Sequence, residues 1–203
     1  MANSRKSPPL SNSTPSLDSV FQRALEDILA RVVVSERIAL AFSGGLDSTV
    51  LLYIAADFCK QRDIQLFAFH VHHGLSPNAD HWLAHCAQQA QQAGVAFVAR
   101  EVHIDPHDKL GIEQAARLAR YDALADMCAS CDVPLLLTAH HQDDQAETVV
   151  LQLLRGAGLP GLSAMAMLQS EHALLGTGIA LGRPLIEMAR ADLELWAETH
   201  AIK

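Results

Sequence analysis

The sequence lacks the features of membrane proteins, of secreted proteins and of proteins that bind nucleic acid over their whole surface. It has no apolar run long enough to cross a bilayer, and its Ser-, Asn- and Pro-rich start has no apolar signal-peptide core. Acidic residues outnumber basic ones, so the formal net charge is −8. A local basic patch remains compatible with that balance. We therefore expect a cytoplasmic protein without membrane contacts.

Cysteines are also few. The chain has four, Cys59, Cys86, Cys128 and Cys131, which we interpret as reduced thiols. Cys128 and Cys131 have the spacing of metal ligands, but no second pair completes a four-ligand site. We interpret them as two thiols at the end of a helix, and a redox or metal role is the alternative.

The hydrophobic pattern predicts one α/β domain preceded by a tail. The chain of 203 residues is 50% hydrophobic, which suits a sizeable core. Residues 1–16 have little to bury and are predicted to be a disordered tail, followed by a single domain over residues 17–203. Apolar runs of strand length alternate with segments of helical periodicity. Strands are predicted at about 38–42, 64–71, 95–104 and 134–139, with a short extended segment at 183–186. Helices are predicted at about 17–34, 49–56, 79–94, 111–131 and 191–200, with another after residue 148.

A short loop joins the first predicted strand to the next helix with no spare residues. Its sequence is Ser43-Gly44-Gly45-Leu46-Asp47-Ser48. Adjacent glycines let the backbone approach a ligand, and the helix start supplies free N–H groups and a positive dipole end, which favour an anion. Asp47 repels phosphate, so a Mg²⁺ ion that bridges it to the ligand is predicted. The loop has neither the lysine of the common phosphate loop nor three spaced glycines.

Two further clusters follow predicted strands. His70, His72 and His73 lie at a strand end, where open α/β sheets bind ligands. We expect this strand edge to line an adenosine pocket with its backbone, and a three-histidine zinc site is the alternative.

The second cluster is acidic. On a helix, His140, Asp144 and Glu147 would lie near one face, with Asp143 as a helix cap. Dinuclear metal hydrolysis, a site for a cationic substrate and a charged helix start without a ligand all remain open.

Together these motifs resemble a known family. The loop is similar to the pyrophosphate loop of the ATP-pyrophosphatase superfamily, whose members adenylate a carbonyl and let a nucleophile displace AMP. Blocks at 70–75, 113–121, 138–148, 153–162 and 183–185 occur in the order and spacing of the tRNA(Ile)-lysidine synthetase family. The resemblance covers about residues 20–200. It implies a Rossmann-like fold of the adenine nucleotide alpha hydrolase type, with a parallel five-stranded sheet, helices on both faces and the site at the carboxyl ends of the strands.

The resemblance also implies a reaction. ATP adenylates the C2 oxygen of cytidine 34, the wobble nucleotide of a tRNA(Ile) with anticodon CAU. The ε-amine of free L-lysine then attacks C2, giving lysidine, AMP and pyrophosphate. Lysine has a solution pKa near 10.4, so its neutral form costs about 4.6 kcal/mol at pH 7. The site must therefore hold an ammonium group and remove a proton.

Roles for individual residues are implied in the same way. Asp47 would bind Mg²⁺ through pyrophosphate, and Arg120 would neutralise charge on the α-phosphate or at C2. His140, Asp144 and Glu147 would bind lysine and, with Asp47 and Arg120, form the catalytic set. The implied ATP-binding residues are Phe42, Ser43, Gly44, Gly45, Leu46, Asp47, Ser48, His70 and Val71. Arg117 shares a helix face with Arg120, and a solvated arginine face is the alternative for that pair.

Two departures limit the resemblance. Family members continue into smaller C-terminal domains that help to bind tRNA, and they carry an Asp-, Ser-, Asn- and Arg-rich segment beyond the point where this sequence stops. We therefore expect a catalytic domain alone, which binds ATP but modifies tRNA poorly. Homodimer formation is left open.

Three other functions are alternatives. A tRNA thiolation enzyme of the 2-thiocytidine type would usually have lysine in place of Leu46 and paired Cys-x-x-Cys motifs. An amidotransferase-type synthetase would need a glutaminase domain, for which no motif is visible. A non-catalytic ATP-binding module is the remaining alternative.

Overall fold

The computed structural model describes residues 16–32, 36–74, 78–104, 111–156 and 164–202. Of the predicted tail, all but Ser16 lies outside these ranges. Ser16 caps the first helix, because its hydroxyl accepts a hydrogen bond from the Ser19 N–H at 3.3 Å. That helix ends at Leu29, earlier than predicted.

Helices and strands alternate along most of the chain. The helices are α1 (Leu17–Leu29), α2 (Leu46–Gln61), α3 (Ala79–Gln92), α4 (Ile112–Ser130), α5 (Gln142–Leu154) and α6 (Arg190–Thr199). The strands are β1 (Arg37–Ala41), β2 (Gln65–His72), β3 (Ala96–Glu101), β4 (Leu135–Leu137), β5 (Leu168–Gln169) and β6 (Ala180–Gly182). Among the described helices, none is long and apolar enough to cross a membrane.

The described strands form one sheet of six, in the order β3-β2-β1-β4-β6-β5. Five of them are parallel, as predicted, and β5 runs antiparallel to β6 at the edge. The prediction of five strands was wrong by this edge strand, because two residues are too few to produce a hydrophobic pattern.

The extended segment predicted at 183–186 was also misplaced. The strand is Ala180–Gly182, and a turn follows it. The strand was not predicted at 180–182 because it contains Gly182, and glycine is rare inside strands. A Cβ at this position would come within 2.9 Å of the Leu137 Cδ2 methyl, so any other residue would require the Leu137 side chain to shift.

Helices cover both faces of the sheet. On one face α1, α2, α3 and α6 enclose a core that includes Phe21, Leu51, Phe58 and Leu193. On the other face, Leu124 and Met127 of α4 pack on Phe69 and Leu136. The predicted arrangement of helices on both faces is confirmed.

The order of the strands determines where a ligand can enter. The chain passes from β1 to β2 on one side of the sheet, and β4 joins β1 on the other. The loops after β1 and β4 therefore diverge and leave a crevice at the carboxyl edge, where open α/β sheets bind their ligands.

Candidate active site

A cavity of about 660 Å³ occupies this crevice. That volume is typical of a site for a nucleotide-sized ligand. Its walls are formed by the loop after β1, the end of β2, α3, α4 and the loop after β4. Its lining includes Phe42, Ser43, Gly45, Asp47, Ser48, His70, Val71, Trp82, Arg120, Tyr121, Thr138 and His140.

The loop after β1 has a backbone that only glycine tolerates at one position. Gly44 has φ +81°, and a Cβ there would come within 2.5 Å of the Cys86 Sγ and 3.2 Å of the Trp82 indole nitrogen. Gly44 therefore lets α3 pack directly against the loop. Burial raises the pKa of the Cys86 thiol to about 11, so this cysteine fills space and is not a nucleophile.

Serine hydroxyls hold the loop in place. Ser48 Oγ accepts from the Gly44 N–H at 3.1 Å and donates to the Gly45 carbonyl at 2.9 Å, and Ser43 Oγ lies 3.0 Å from it. The helix α2 begins at Leu46, earlier than predicted, and its N-cap is Gly45, which has no side chain to bond the first N–H groups. Those N–H groups and the helix dipole make the loop an anion site.

Trp82 is a contributor that sequence reasoning missed. Its indole N–H donates to the Ser43 carbonyl at 2.6 Å, and its ring stacks on His85 with the centroids 5.2 Å apart. Only tertiary structure brings α3 to the loop, and the sequence carries no signal for it beyond an aromatic residue in a polar helix.

The Asp47 side chain lies near His141, which follows the loop after β4. One carboxylate oxygen, Oδ1, is buried without a hydrogen-bond partner among the described residues. The other, Oδ2, lies 3.6 Å from the His141 Nε2. An orphaned buried carboxylate oxygen beside an anion site is a suitable ligand for Mg²⁺.

His141 lies between Asp47 of α2 and Asp144 of α5, and the sequence analysis did not predict a role for it. It is the N-cap of α5: its Nδ1 accepts from the Asp143 N–H at 3.3 Å, and its own N–H donates to Asp144 Oδ2 at 2.8 Å. Because Nδ1 accepts, the neutral ring carries its proton on Nε2, which faces Asp47 and Asp144 at 3.6 and 3.5 Å. The signal was present as a capping pattern, His141-x-x-Asp144.

Two predictions about α5 were therefore wrong. The cap is His141, not Asp143, and His140 precedes the helix, so it does not share a helix face with Asp144 and Glu147. The reason is that an imidazole can take the capping role that sequence rules reserve for short polar side chains.

His140 itself lines the cavity. Its Nδ1 lies 2.9 Å from the Thr138 hydroxyl. Burial, reinforced by Arg183, lowers the pKa of His140 to about 4, so the ring is neutral at pH 7. A neutral ring suits an orienting role better than that of a strong base.

The backbone at the end of β2 faces the cavity. The Phe69 carbonyl accepts from the Phe42 N–H at 2.8 Å on the β1 side, and the His72 carbonyl accepts from Val102 on the β3 side. Because backbone groups alternate sides along a strand, the N–H and C=O of Val71 point to the space that β1 leaves. The Phe42 carbonyl is engaged by the His70 ring at 2.8 Å. Burial lowers the pKa of that ring.

Of the remaining predicted residues, some line the cavity and others do not. Arg120 lines the cavity, whereas Asp144 does not and is linked only through His141 to the cavity-lining Asp47. Glu147 is exposed one turn further along α5 and does not line the cavity either. The structure thus joins Asp47, His140 and Arg120 at one cavity and leaves Asp144 and Glu147 outside its lining.

The metal alternatives gain no support from the part of the chain that is described. It contains no group of three His, Cys, Asp or Glu side chains placed to hold a metal. All four cysteines are free, and burial raises the pKa of Cys128 to about 12.

Comparisons with known proteins identify the family of the chain. The sequence pattern of a family described as the PP-loop domain matches residues 17–203. The chain is 49% identical over 188 residues to the tRNA(Ile)-lysidine synthase of Burkholderia mallei, covering 93% of this chain and 37% of that protein. It is 46% identical over 191 residues to the synthase of Ralstonia nicotianae, covering 92% and 40%. The predicted resemblance is confirmed, and the chain spans about two fifths of the length of these relatives.

A solved structure shows the same fold. The U34-tRNA thiolase NcsA of Methanococcus maripaludis, with its 4Fe–4S cluster, superposes with a TM-score of 0.72 at 21% identity. The match covers 91% of this chain and 64% of that one. At this identity the likeness concerns the fold alone.

Proposed function

Because the chain belongs to the PP-loop domain family, which binds ATP, we propose that it is the ATP-binding catalytic part of a tRNA(Ile)-lysidine synthase. Residues 17–203 form its catalytic domain in this proposal. Its substrates are ATP, free L-lysine and a tRNA(Ile) with anticodon CAU. The observation that supports the proposal is the position of His141, whose Nε2 lies 3.6 Å from Asp47 Oδ2 and 3.5 Å from Asp144 Oδ2, so that the acidic start of α5 lies next to the loop after β1.

The loop after β1 would bind the phosphates of ATP. The N–H groups at the start of α2 and the hydroxyls of Ser43 and Ser48 face this position, and Asp47 would hold Mg²⁺ there. Bound Mg²⁺ would supply positive charge that neutralises the phosphate oxygens. The N–H and C=O of Val71 would bind the adenine edge, which leaves the α-phosphate directed at the crevice.

Arg120 and His140 would face the reacting atoms. The cytidine O2 attacks the α-phosphorus, the bond to the β-phosphate oxygen breaks, and pyrophosphate leaves. Arg120 lines the cavity with a permanent positive charge, which would stabilise the negative charge that develops in this step.

The second step involves Asp144 and Glu147 of α5 together with His140. The neutral ε-amine of lysine attacks C2, the C2–O bond breaks, and AMP leaves with the former O2. Asp144 would attract the lysine ammonium and accept the proton that leaves it before attack. His140, neutral at pH 7, orients the amine through its ring nitrogen. Glu147, one turn further along α5, would guide lysine into the site.

The test is AMP formation from ATP by this chain with tRNA(Ile) transcript, with and without lysine. We expect AMP release that needs both the tRNA and lysine, together with a gain in the mass of the nucleoside at position 34 that equals lysine minus water. AMP without lysine, or sulfur incorporation, would overturn the proposal. ATP binding with no AMP under any condition would indicate a binding module.

A further inference from the structure

The described arginines differ in whether a carboxylate neutralises them. Four are ion-paired, namely Arg37 with Asp132, Arg62 with Glu26, Arg100 with Asp126 and Arg190 with Glu194. The other six described arginines have no carboxylate partner in the part of the chain that the structure describes: Arg23, Arg31, Arg117, Arg120, Arg155 and Arg183. Arg117, Arg120 and Arg183 differ from the rest of this group in their surroundings. These three arginines also lie together.

Their common centre is the buried ring of Tyr121. The guanidinium carbons of Arg117 and Arg120 lie 5.1 and 5.4 Å from the ring centroid. The His172 ring stacks on the same tyrosine with the centroids 4.7 Å apart. Cation–π contacts hold the two guanidinium groups in place without neutralising their charge.

Arg183 supports this cluster from the interior. It is 6% exposed, one nitrogen donates to the Ala166 carbonyl at 2.8 Å, and its Nε is buried without a partner among the described residues. Arg183 interacts electrostatically with Tyr121, Arg117 and His140, and no carboxylate is among these partners. A buried, unpaired guanidinium is costly unless an anion comes near.

An internal partner for Arg117 was available and is not used. Glu113 lies four residues earlier on α4, the spacing that favours an ion pair. Arg117 instead extends over Tyr121 and remains exposed. The side chain is thus ordered by an aromatic ring and open to a ligand.

From this arrangement we infer a second anion site beside the cavity, in which Arg117, backed by Arg183, binds a backbone phosphodiester of the RNA substrate. The inference rests on the proposed function. Arg120 lines the cavity and is assigned there to the reacting phosphate, whereas Arg117 and Arg183 do not line it. The phosphates of ATP have donors on the loop after β1 and in Arg120, which leaves Arg117 to an anion that enters from outside. Arginine is well suited to this role, because its planar fork binds two phosphate oxygens at once.

The test compares Arg117→Gln with Arg62→Gln. Each variant removes one positive charge, and Arg62 also lies over an aromatic ring, 3.8 Å from the Phe58 centroid, but is paired with Glu26. The affinity for an anticodon stem–loop RNA is measured by fluorescence anisotropy over a range of salt concentrations. For Arg117→Gln we expect about tenfold weaker binding and a salt slope smaller by about one. Arg62→Gln should match the unchanged chain, and both variants should bind ATP normally.

Each other result has a distinct meaning. Weaker binding of ATP or pyrophosphate by Arg117→Gln, with RNA binding unchanged, would assign the cluster to ATP and overturn the inference. An RNA salt slope equal to that of Arg62→Gln would also overturn it, while lysidine formation by the unchanged chain would preserve the proposed function. A reduced salt slope for Arg117→Gln, with no lysidine formation by the unchanged chain, would support the inference and overturn the proposed function. No RNA binding by the unchanged chain at low salt would overturn both.

Discussion

The two walls of the cavity differ in how firmly they are built. The phosphate wall is the loop after β1 together with α2. This helix has nine buried residues, and the loop before it is held by Ser48 and by the Trp82 indole. The acceptor wall is the loop after β4 together with α5, the helix that continues this loop outside the cavity lining, and none of the 13 residues of α5 is buried. The first wall is part of the core, whereas the second lies on its surface.

The acceptor wall is held mainly by polar contacts near its start. The Gln145 amide makes two hydrogen bonds to the Met165 backbone, at 2.6 and 2.9 Å, and the Gln142 N–H donates to the Met188 carbonyl at 2.8 Å. The far end exposes Val150, Leu151 and Leu154. We conclude that the part of the site proposed to bind ATP is preorganised, whereas the part proposed to bind lysine depends on a few hydrogen bonds.

The largest effect should come from Asp47 on the phosphate wall. Asp47→Asn removes the charge proposed to hold Mg²⁺, and we expect kcat/KM for AMP formation to fall by about 10²–10³. Asp57→Asn is the matched control, because Asp57 lies on the same helix, where it accepts from Gln61 at 2.6 Å. An equal loss in both variants would contradict a specific role for Asp47.

Gly44→Ala tests how rigid the same wall is. The variant combines φ strain with a clash against Cys86, and we expect the free energy of unfolding to fall by about 2–4 kcal/mol. Adding Cys86→Ala should restore part of the loss, because it removes the clash but not the strain. Gly45→Ala, whose nearest neighbour is 3.6 Å away, should keep normal stability in a thermal melt. Equal melting temperatures for Gly44→Ala and Gly45→Ala would mean that the loop after β1 rearranges to accommodate the extra methyl group, and would contradict the prediction.

His140 predicts a pH dependence for the region between the walls. Its pKa is about 4 in the folded chain against an ordinary 6.5, so the unfolded chain binds the extra proton first as pH falls. Its contribution to stability is therefore complete above pH 6.5 and is lost as pH falls toward 4, with a total of about 2–3 kcal/mol. Chemical denaturation at several pH values should show a flatter profile for His140→Gln, and parallel profiles would contradict the prediction.

Asp144→Ala tests the acceptor wall. It removes the acceptor of the His141 N–H and should cost about 1–2 kcal/mol in the capping of α5. We expect KM for lysine to rise about tenfold with little change in KM for ATP, since the phosphate wall is held independently. Asp143→Ala is the control for net charge at the same helix start. A rise in KM for ATP alone would remove the distinction between the walls.

Trp82→Phe should have the smallest effect. It keeps an aromatic ring but loses the hydrogen bond to the Ser43 carbonyl, so the Kd for ATP should rise about fivefold, or about 1 kcal/mol. Trp196→Phe is the control, because that indole donates to Asp18 at 3.0 Å, outside the cavity lining. That control leaves Trp82 as the one tryptophan, so its fluorescence should report ATP binding. An unchanged spectrum with saturating ATP would contradict contact between Trp82 and the loop.

Local sequence determined the phosphate wall. The loop from Ser43 to Ser48 is a contiguous strand–turn–helix unit, and its glycines, hydroxyls and helix start specify an anion site without help from distant residues. The alternation of strands and helices likewise predicted the parallel sheet and the carboxyl edge where the cavity lies. The two-residue edge strand and the true position of β6 escaped, because short strands carry almost no periodic signal.

Only the tertiary structure decided which side chains meet across the cavity. His141 and Asp47 are 94 residues apart, and Trp82 reaches Ser43 from another helix. The arginine cluster combines Arg117 of α4 with Arg183 beyond β6, although the sequence shows only a pair on one helix face. Periodicity determines which face of an element is buried, but the pairing of distant side chains depends on strand order and packing, which no local pattern contains.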